Sequence, residues 1–312
     1  MPDTPGSTGQ SNRTSGDSTL PDFVRRYIDL DYGGNGKPGW VRAGDIDGDG
    51  DRDVVAGGGN ALFVYENNGR ADGWQRHGNL DASGDIGANG GELYDVDGDG
   101  DLDVVSAKYS AAMGWWENPG GALSGAPWAF HVLSQESRYL HDLIRVDIDG
   151  DGEAHEFIAN LNQGYFNSRI TLKWFRPGGD PTALWESHTI ESDRAEGAAH
   201  GHAGLDLARI DGDAHFDLAY SNGWYEGPTD PTGSWIWHEI TTEYGISNTL
   251  ARDMDGDLDL DLVMGAGHHG EGLYWFEQPA DPVNGPWTRH TIDATLWHPE
   301  CLQSVDLDSD GD

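Results

Sequence analysis

Apolar positions along this chain fall in short runs, each bounded by Gly, Pro, Asn or Asp, and the same runs return in the same order down the sequence. The first is uniformly apolar: DVVAGG from Asp53, DVVSAK from Asp103, EFIANL from Glu156, DLAYSN from Asp217 and DLVMGA from Asp261. The second is aromatic: LFVYENNG, MGWWENPG, LKWFRPGG, GWYEGP and LYWFEQP. The third carries Trp three residues before His, as WQRH, WAFH, WESH, WIWH and WTRH. No long segment shows a 3.6-residue period, so short β-rich runs between turn residues predict an all-β protein.

Ahead of each uniformly apolar run stands a ladder of aspartates. The copies are DIDGDGDRD, DVDGDGDLD, DIDGDGEAHE, RIDGDAHFD, DMDGDLDLD and DLDSDGD, starting at Asp45, Asp95, Asp147, Arg209, Asp253 and Asp306. Starts separated by 50, 52, 62, 44 and 53 residues match the period of a propeller blade. With the apolar stretch before each ladder, every unit supplies four strands, A to D, and the ladder is the A to B turn. The expected fold is a β-propeller of four-stranded blades, with about five complete blades and a truncated one, six- or seven-bladed when intact. On the repeat period, about 25 residues are missing for six blades and about 75 for seven. The segment FVRRYIDL from Phe23 matches the third run and is expected to be an orphan D strand of the last blade. Residues 1–21 are polar and rich in Ser, Thr, Gly and Pro, so they are expected to be disordered and lack a secretory leader's apolar core. Residues 22–312 are expected to form a single propeller domain, C-terminally incomplete.

The ladder is a cation loop in its chemistry. Carboxylates at positions 1, 3 and 5 of a tight turn converge on one hard ion, a carbonyl at position 7 adds a ligand, and an acid at position 9 closes the shell. Oxygen-only ligation of this kind selects calcium. The first copy offers Asp45, Asp47, Asp49 and Asp53, with Asp51 through its carbonyl and Gly50 for the left-handed turn. The second offers Asp95, Asp97, Asp99 and Asp103, with Asp101. The third offers Asp147, Asp149 and Asp151 with Glu153, and one extra residue moves the closing acid to Glu156 and leaves His155 in the turn. The fifth offers Asp253, Asp255, Asp257 and Asp261 with Asp259, and places Leu258 where Gly is expected, which implies backbone strain. The sixth offers Asp306, Asp308 and Asp310. The fourth has Arg209 at position 1 and Ala214 at position 6; it is expected to be empty, with Arg209 bonding Asp211 or Asp217. About four to five calcium ions are expected.

Composition sharpens the picture. Acidic residues number 55 against 18 basic ones, for a formal net charge of −37, which repels a polyanionic backbone and excludes general nucleic-acid binding. Asp outnumbers Glu 40 to 15, and Lys37, Lys108 and Lys173 are the lysines, a balance that looks like a halophile's surface. No apolar run approaches the roughly 18 residues of a membrane helix. The single Cys301 cannot close an intrachain disulfide.

The D-x-D-x-D-G-x-x-D turn, followed by an apolar strand and a W-Y-E-N-P-like strand, resembles the FG-GAP or VCBS repeat family, whose repeats include integrin-alpha-like propellers. The resemblance covers nearly the whole chain from about Phe23. It implies a calcium-binding propeller and leaves activity open, because one fold hosts adhesion modules and enzymes; loops with several carboxylates operate most easily where calcium is plentiful, which favours an extracellular or cell-surface setting.

The D to A and B to C connections share the face opposite the ladders. His77, His131, His188, His238 and His290 belong to the repeated D strand and are read as structural, while His155 and His215 lie on the ladder face. His141, His200, His202, His268, His269 and His298 map to the opposite face, with Trp40, Lys108, Tyr109, Arg138, Tyr139, Asn162, Tyr165, Arg194, Asn222 and Trp297. Converging imidazoles could hold a transition metal or supply acid and base groups, and aromatic planes with Arg and Asn suit a sugar. Two functions follow. One is a calcium-stabilised binding or scaffold module for a glycan or protein partner. The other is a carbohydrate lyase or dehydratase, with His202 or Tyr139 as base and Arg138 or Arg194 stabilising the enolate.

Overall fold

The computed structural model describes residues 26–32, 37–70, 73–109, 112–136, 139–162, 169–195, 204–242, 246–266, 271–297, 299 and 301–306. Among these lie twenty strands in five four-stranded antiparallel sheets, each built from four strands consecutive in the chain. The first sheet holds β1 (Trp40–Gly44), β2 (Asp53–Gly58), β3 (Ala61–Glu66) and β4 (Gln75–His77). The second holds β5 (Glu92–Tyr94), β6 (Asp103–Ala107), β7 (Met113–Glu117) and β8 (Ala129–Ser134). The third holds β9 (Tyr139–Val146), β10 (Glu156–Asn162), β11 (Arg169–Arg176) and β12 (Glu186–Ala195). The fourth holds β13 (Leu205–Ala208), β14 (Asp217–Tyr220), β15 (Gly223–Glu226) and β16 (Ile236–Glu239). The fifth holds β17 (Ile246–Arg252), β18 (Asp261–Ala266), β19 (Glu271–Glu277) and β20 (Thr288–Trp297). Each sheet is a blade, and the five form a β-propeller in which β1, β5, β9, β13 and β17 neighbour one another in that order.

Blade stacking explains the uniformly apolar run. β6, β14 and β18 are buried at every position, because both faces of a second strand meet protein and the pattern has no reason to alternate. From the second blade, Val104 and Trp116 pack toward Val55, Leu62 and Val64 of the first. Val105 and Trp115 pack toward Phe157 and Leu161 of the third. Further clusters join the third blade to the fourth and the fourth to the fifth. Trp115, Trp116, Trp174 and Trp224 are fully buried there, each contributing about 4–6 kcal/mol of transfer free energy.

Polar latches fix the blades' spacing. The Pro181 carbonyl accepts hydrogen bonds from Trp115 of the preceding blade (3.2 Å) and Trp185 of its own (3.1 Å). Pro231 does the same for Trp174 (3.1 Å) and Trp235 (3.2 Å). The D-strand histidines add a second layer: His131 stacks on Trp115 at 4.5 Å and bonds Glu117 at 2.7 Å, and His290 stacks on Trp275 at 4.2 Å and bonds Glu277 at 2.7 Å. His238 repeats this with Trp224 and Glu226, and His77 bonds Glu66. These contacts give the repeated histidines the structural role expected of them.

Two expectations at the edges change. Residues 26–32 form no D strand. They lie on the first blade's face away from the second, where the Tyr32 hydroxyl donates toward the carbonyls of Ala56, Gly58 and Ala61 and its ring meets Phe63 edge-on at 5.2 Å. Asp29 accepts from Tyr65 and Arg76 nearby. The apolar face bearing Phe63 and Tyr65 takes up this segment through Tyr32. Residues 301–306 likewise carry no strand, although Ser304 accepts a hydrogen bond from Arg252.

Trp40, expected at a ligand face, is core. It is 6% exposed and packs among the first and second blades. A Cβ added to either Gly57 or Gly91 would stand 2.4 Å from its indole ring, so the close approach of both backbones to that ring is what requires glycine. Gly57→Ala and Gly91→Ala are each expected to cost about 1–3 kcal/mol by overpacking. Trp40→Leu in either background should recover part of that loss, as read by urea unfolding.

Candidate functional site

Each ladder forms the turn between a blade's first two strands. In the first, the amides of Gly48 and Gly50 donate to the two oxygens of Asp45 (2.9 and 3.1 Å). The Asp49 amide donates to Asp47 (3.2 Å), and the Asp51 amide to Asp49 (2.9 Å). The second and fifth ladders repeat this wiring on Asp95, Asp97 and Asp99, and on Asp253, Asp255 and Asp257. The wiring turns the backbone left-handed at position 6, with φ of 95° at Gly50 and 99° at Gly100. Leu258 is held at 79° in the same place while 91% exposed, so the strain expected from the sequence is present without any packing to offset it.

The turns gather carboxylate oxygens. One oxygen from each of Asp45, Asp47 and Asp53 lies within 4.8 Å of the others, and so do those of Asp95, Asp97 and Asp99, of Asp147, Asp149 and Glu156, and of Asp253, Asp255 and Asp261. All donors are hard oxygens, the set that suits calcium. Burial pushes the Asp103 carboxyl up to about 7 and raises Asp53 and Asp261 as well, the response of buried carboxylates to the cost of holding charge away from water.

The closing acid also has a task that the motif does not announce. Asp53 accepts from the Ile46 amide in its turn (2.9 Å) and from the Asn67 amide just after the third strand (2.8 Å). Asp103 does so with Val96 and Asn118, Asp217 with Ile210 and Gly227, and Asp261 with Met254 and Gln278. The side-chain amides of Asn118 and Gln278 continue outward to the carbonyls of Ile46 and Ile210 in the preceding blade. A one-sequence clue existed: the closing acid persists in the fourth ladder, whose first position is Arg209.

The fourth and third turns depart from the pattern. Arg209 makes no ion pair with Asp211 or Asp217, as had been expected; it donates to the Ala214 carbonyl (3.3 Å) and lies 4.2 Å over the Phe216 ring. Asp217 accepts from the backbone amides of Ile210, Asp211 and Gly227, which leaves Arg209 the ring and the carbonyl. The third turn keeps the wiring on Asp147, Asp149 and Asp151, but Arg176 bonds Asp149 and Glu156 within it. Of the sixth ladder, Asp306 is described, whereas Asp308 and Asp310 lie outside the described residues.

On the opposite face, the residues brought together belong to the second, third and fourth blades. Tyr109 and Tyr139 meet with ring centroids 6.3 Å apart, and Tyr139 and His141 at 6.4 Å. His141 Nδ1 lies 2.9 Å from Asp142, whose carboxylate accepts from Asn160 (3.1 Å), and Asn160 reaches the Tyr220 hydroxyl (3.3 Å). Asn162 is buried beside Tyr139 in register, and its Oδ1 has no hydrogen-bond partner. Tyr109 is 61% exposed, so this strip reaches solvent. Trp297 is exposed at the end of β20, and Asn222 is tied to the Thr241 carbonyl. Arg138, Tyr165, His200, His202, His268, His269 and His298 lie outside the described residues, as does the side chain of Arg194.

Lys108 is structural. Its ammonium pairs with Asp81 at 2.8 Å and sits 4.3 Å from the Phe130 ring centroid. Burial would raise the Asp81 carboxyl, but the bonds from Lys108, Ser83 and the Asp85 amide outweigh it and hold the group at about 2.

A family model described as an FG-GAP-like repeat matches residues 45–106 and 95–155, a span that runs from the first ladder into the third. These residues are FG-GAP-like repeats. No curated protein matches the chain. Among solved structures, a lectin of Agrocybe aegerita that recognises non-reducing terminal N-acetylglucosamine is similar at a TM-score of 0.50 and 14% identity, over 83% of this chain and 67% of that one. An ancestral GH74 enzyme (TM-score 0.43, 12% identity) is matched over 85% of this chain and 40% of its own. A thermostable family-43 glycoside hydrolase (0.38, 13%) is matched over 81% and 96%. At these identities the likeness is one of fold. No helix among the described residues is long and apolar enough to cross a membrane.

The fifth turn and the Lys108–Asp81 pair each generate a prediction. Leu258→Gly should relieve about 1–2 kcal/mol of left-handed strain, offset in part by glycine's greater freedom when unfolded; a small rise in melting temperature checks it. Lys108→Met should cost about 3–5 kcal/mol at neutral pH by leaving a buried carboxylate unpaired. The folded pKa of Asp81 is depressed, so its stabilising contribution is present above the ordinary carboxylate value of about 3.9 and is lost as pH falls through about 2. The gap between the variant and the parent should therefore narrow over that window in pH-dependent unfolding.

Proposed function

We propose that this chain is a calcium-stabilised β-propeller binding module that recognises a glycan on the face opposite its aspartate turns. The Tyr109, Tyr139 and His141 strip supports this most directly. Aromatic rings edge one another there while Asp142 and the buried Asn162 stand close by in β9 and β10, the pairing of apolar plane and directional polar group that suits a sugar ring. The lectin of similar fold recognises a sugar, so the architecture is compatible with that use, though a fold by itself assigns none.

Calcium would be held by Asp45, Asp47 and Asp53, by Asp95, Asp97 and Asp99, and by Asp253, Asp255 and Asp261. When bound it supplies the divalent positive charge that lets crowded carboxylates remain ionised. Such loops load most readily where calcium is plentiful, which favours an extracellular or cell-surface setting.

The test is a glycan array probed with the full chain in calcium, repeated after chelation. Binding to a defined class of glycan is expected, weakened tenfold or more by Tyr109→Ala or Tyr139→Ala while the melting temperature is kept. Chelation should lower both the melting temperature and the binding, by loss of mass-action stabilisation. Absence of binding to any immobilised glycan by calcium-loaded, folded protein would overturn the glycan reading. An unchanged melt after verified calcium removal would overturn the calcium one.

A further inference from the structure

We infer that the third blade has exchanged its calcium ion for the guanidinium of Arg176, so that its aspartate turn is closed by a side chain and does not load metal. The inference rests on the calcium reading of the other turns.

Four observations on three consecutive elements meet here. First, the residue ending the third strand is Glu66, Glu117, Glu226 and Glu277 in the other blades, where it bonds the D-strand histidine. In the third blade it is Arg176, and His188 bonds Glu186 of its own strand instead. Second, the next residue in the other blades is Asn67, Asn118, Gly227 or Gln278, whose backbone amide donates to the closing acid. In the third blade it is Pro177, which has no amide proton to give.

Third, the closing acid is displaced by one residue and lengthened by one carbon, as Glu156. Its Oε2 still accepts from the Ile148 amide (3.1 Å), as the aspartates do in their turns. Its Oε1, deprived of a backbone donor by Pro177, accepts from Arg176 Nε (2.7 Å) and faces His155 Nε2 at 2.8 Å. Fourth, the same guanidinium bonds Asp149 Oδ2. Asp149 and Glu156 are two of the three residues of the candidate metal set in this turn.

Glu156 is fully buried and Arg176 is less than one-third exposed. A charge-assisted fork in such a setting is strong and geometrically fixed. A calcium ion would have to compete for oxygens already committed to a permanent cation. Pro177 removes a backbone donor from the buried Glu156, and Arg176 with His155 faces the oxygen left without it, so the substitutions in this turn act as a set.

Calcium is counted by elemental analysis on the full chain after equilibration with a calcium buffer, and compared among variants. Asp147→Asn should bind as many ions as the parent chain, Asp95→Asn one fewer, and Arg176→Gln one more. Loss of one ion from Asp147→Asn, matching the loss from Asp95→Asn, would overturn the inference. If Arg176→Gln fails to fold, the two aspartate variants still decide. No calcium in the parent chain would overturn the calcium reading of the other turns and this inference with it, whereas an ion lost from Asp147→Asn would overturn this inference alone.

Discussion

A buried carboxylate spanning two backbone amides is the constraint on which each blade's geometry depends. Asp53, Asp103, Asp217 and Asp261 each accept from an amide in the turn before the second strand and from one just beyond the third. One side chain therefore fixes the A to B turn against the C to D connection at the same end of the blade. Each is essentially without solvent exposure, and the amides offset only part of the desolvation of the charge, which still raises these carboxyls. Crowding further aspartates around that group creates the demand for a cation.

The blades meet that demand differently. Three turns present convergent oxygens that suit a divalent ion. The fourth has no such set among the described residues and tolerates an arginine turned onto Phe216. The third brings an arginine inward from the neighbouring strand. These variations share one backbone scaffold, because in all five turns the closing acid keeps its bond from the turn amide, whatever else it contacts. Blade stacking is separate: it rests on paired tryptophans around the Pro181 and Pro231 carbonyls and on cores shared between adjacent blades.

The opposite face is organised by the same register. Tyr139 begins β9 at the end away from the third turn, so the strand that delivers Asp147 to the aspartate turn also delivers Tyr139 and His141 to the other side. A register shift between Asn160 and Leu161 sets His141 apart from the regular pairing of that sheet. The hydrogen bonds from Asp142 through Asn160 to Tyr220 then tie the third blade's inner strand to the fourth blade.

Much of this was legible in one sequence because repetition substitutes for comparison. Five returns of an apolar run, an aromatic run and Trp-x-x-His defined four strands per unit, and the position-6 strain at Leu258 could be read from Gly50 and Gly100 in equivalent places. What the sequence could not decide were matters of which side chain reaches which neighbour. Trp40 sits at a strand end that faces the opposite rim, yet Gly57 and Gly91, distant in sequence, open a slot that buries it. Lys108 looked available until Asp81 was placed beneath it. Arg176 carries no mark of a turn residue, and only the fold brings its guanidinium from a third strand into an aspartate loop twenty or more residues earlier. The repeat therefore determined the strands, their order and the oxygen-rich turns, since those depend on local pattern. The tertiary structure decided which charges are already paired, since pairing depends on distances that only packing sets.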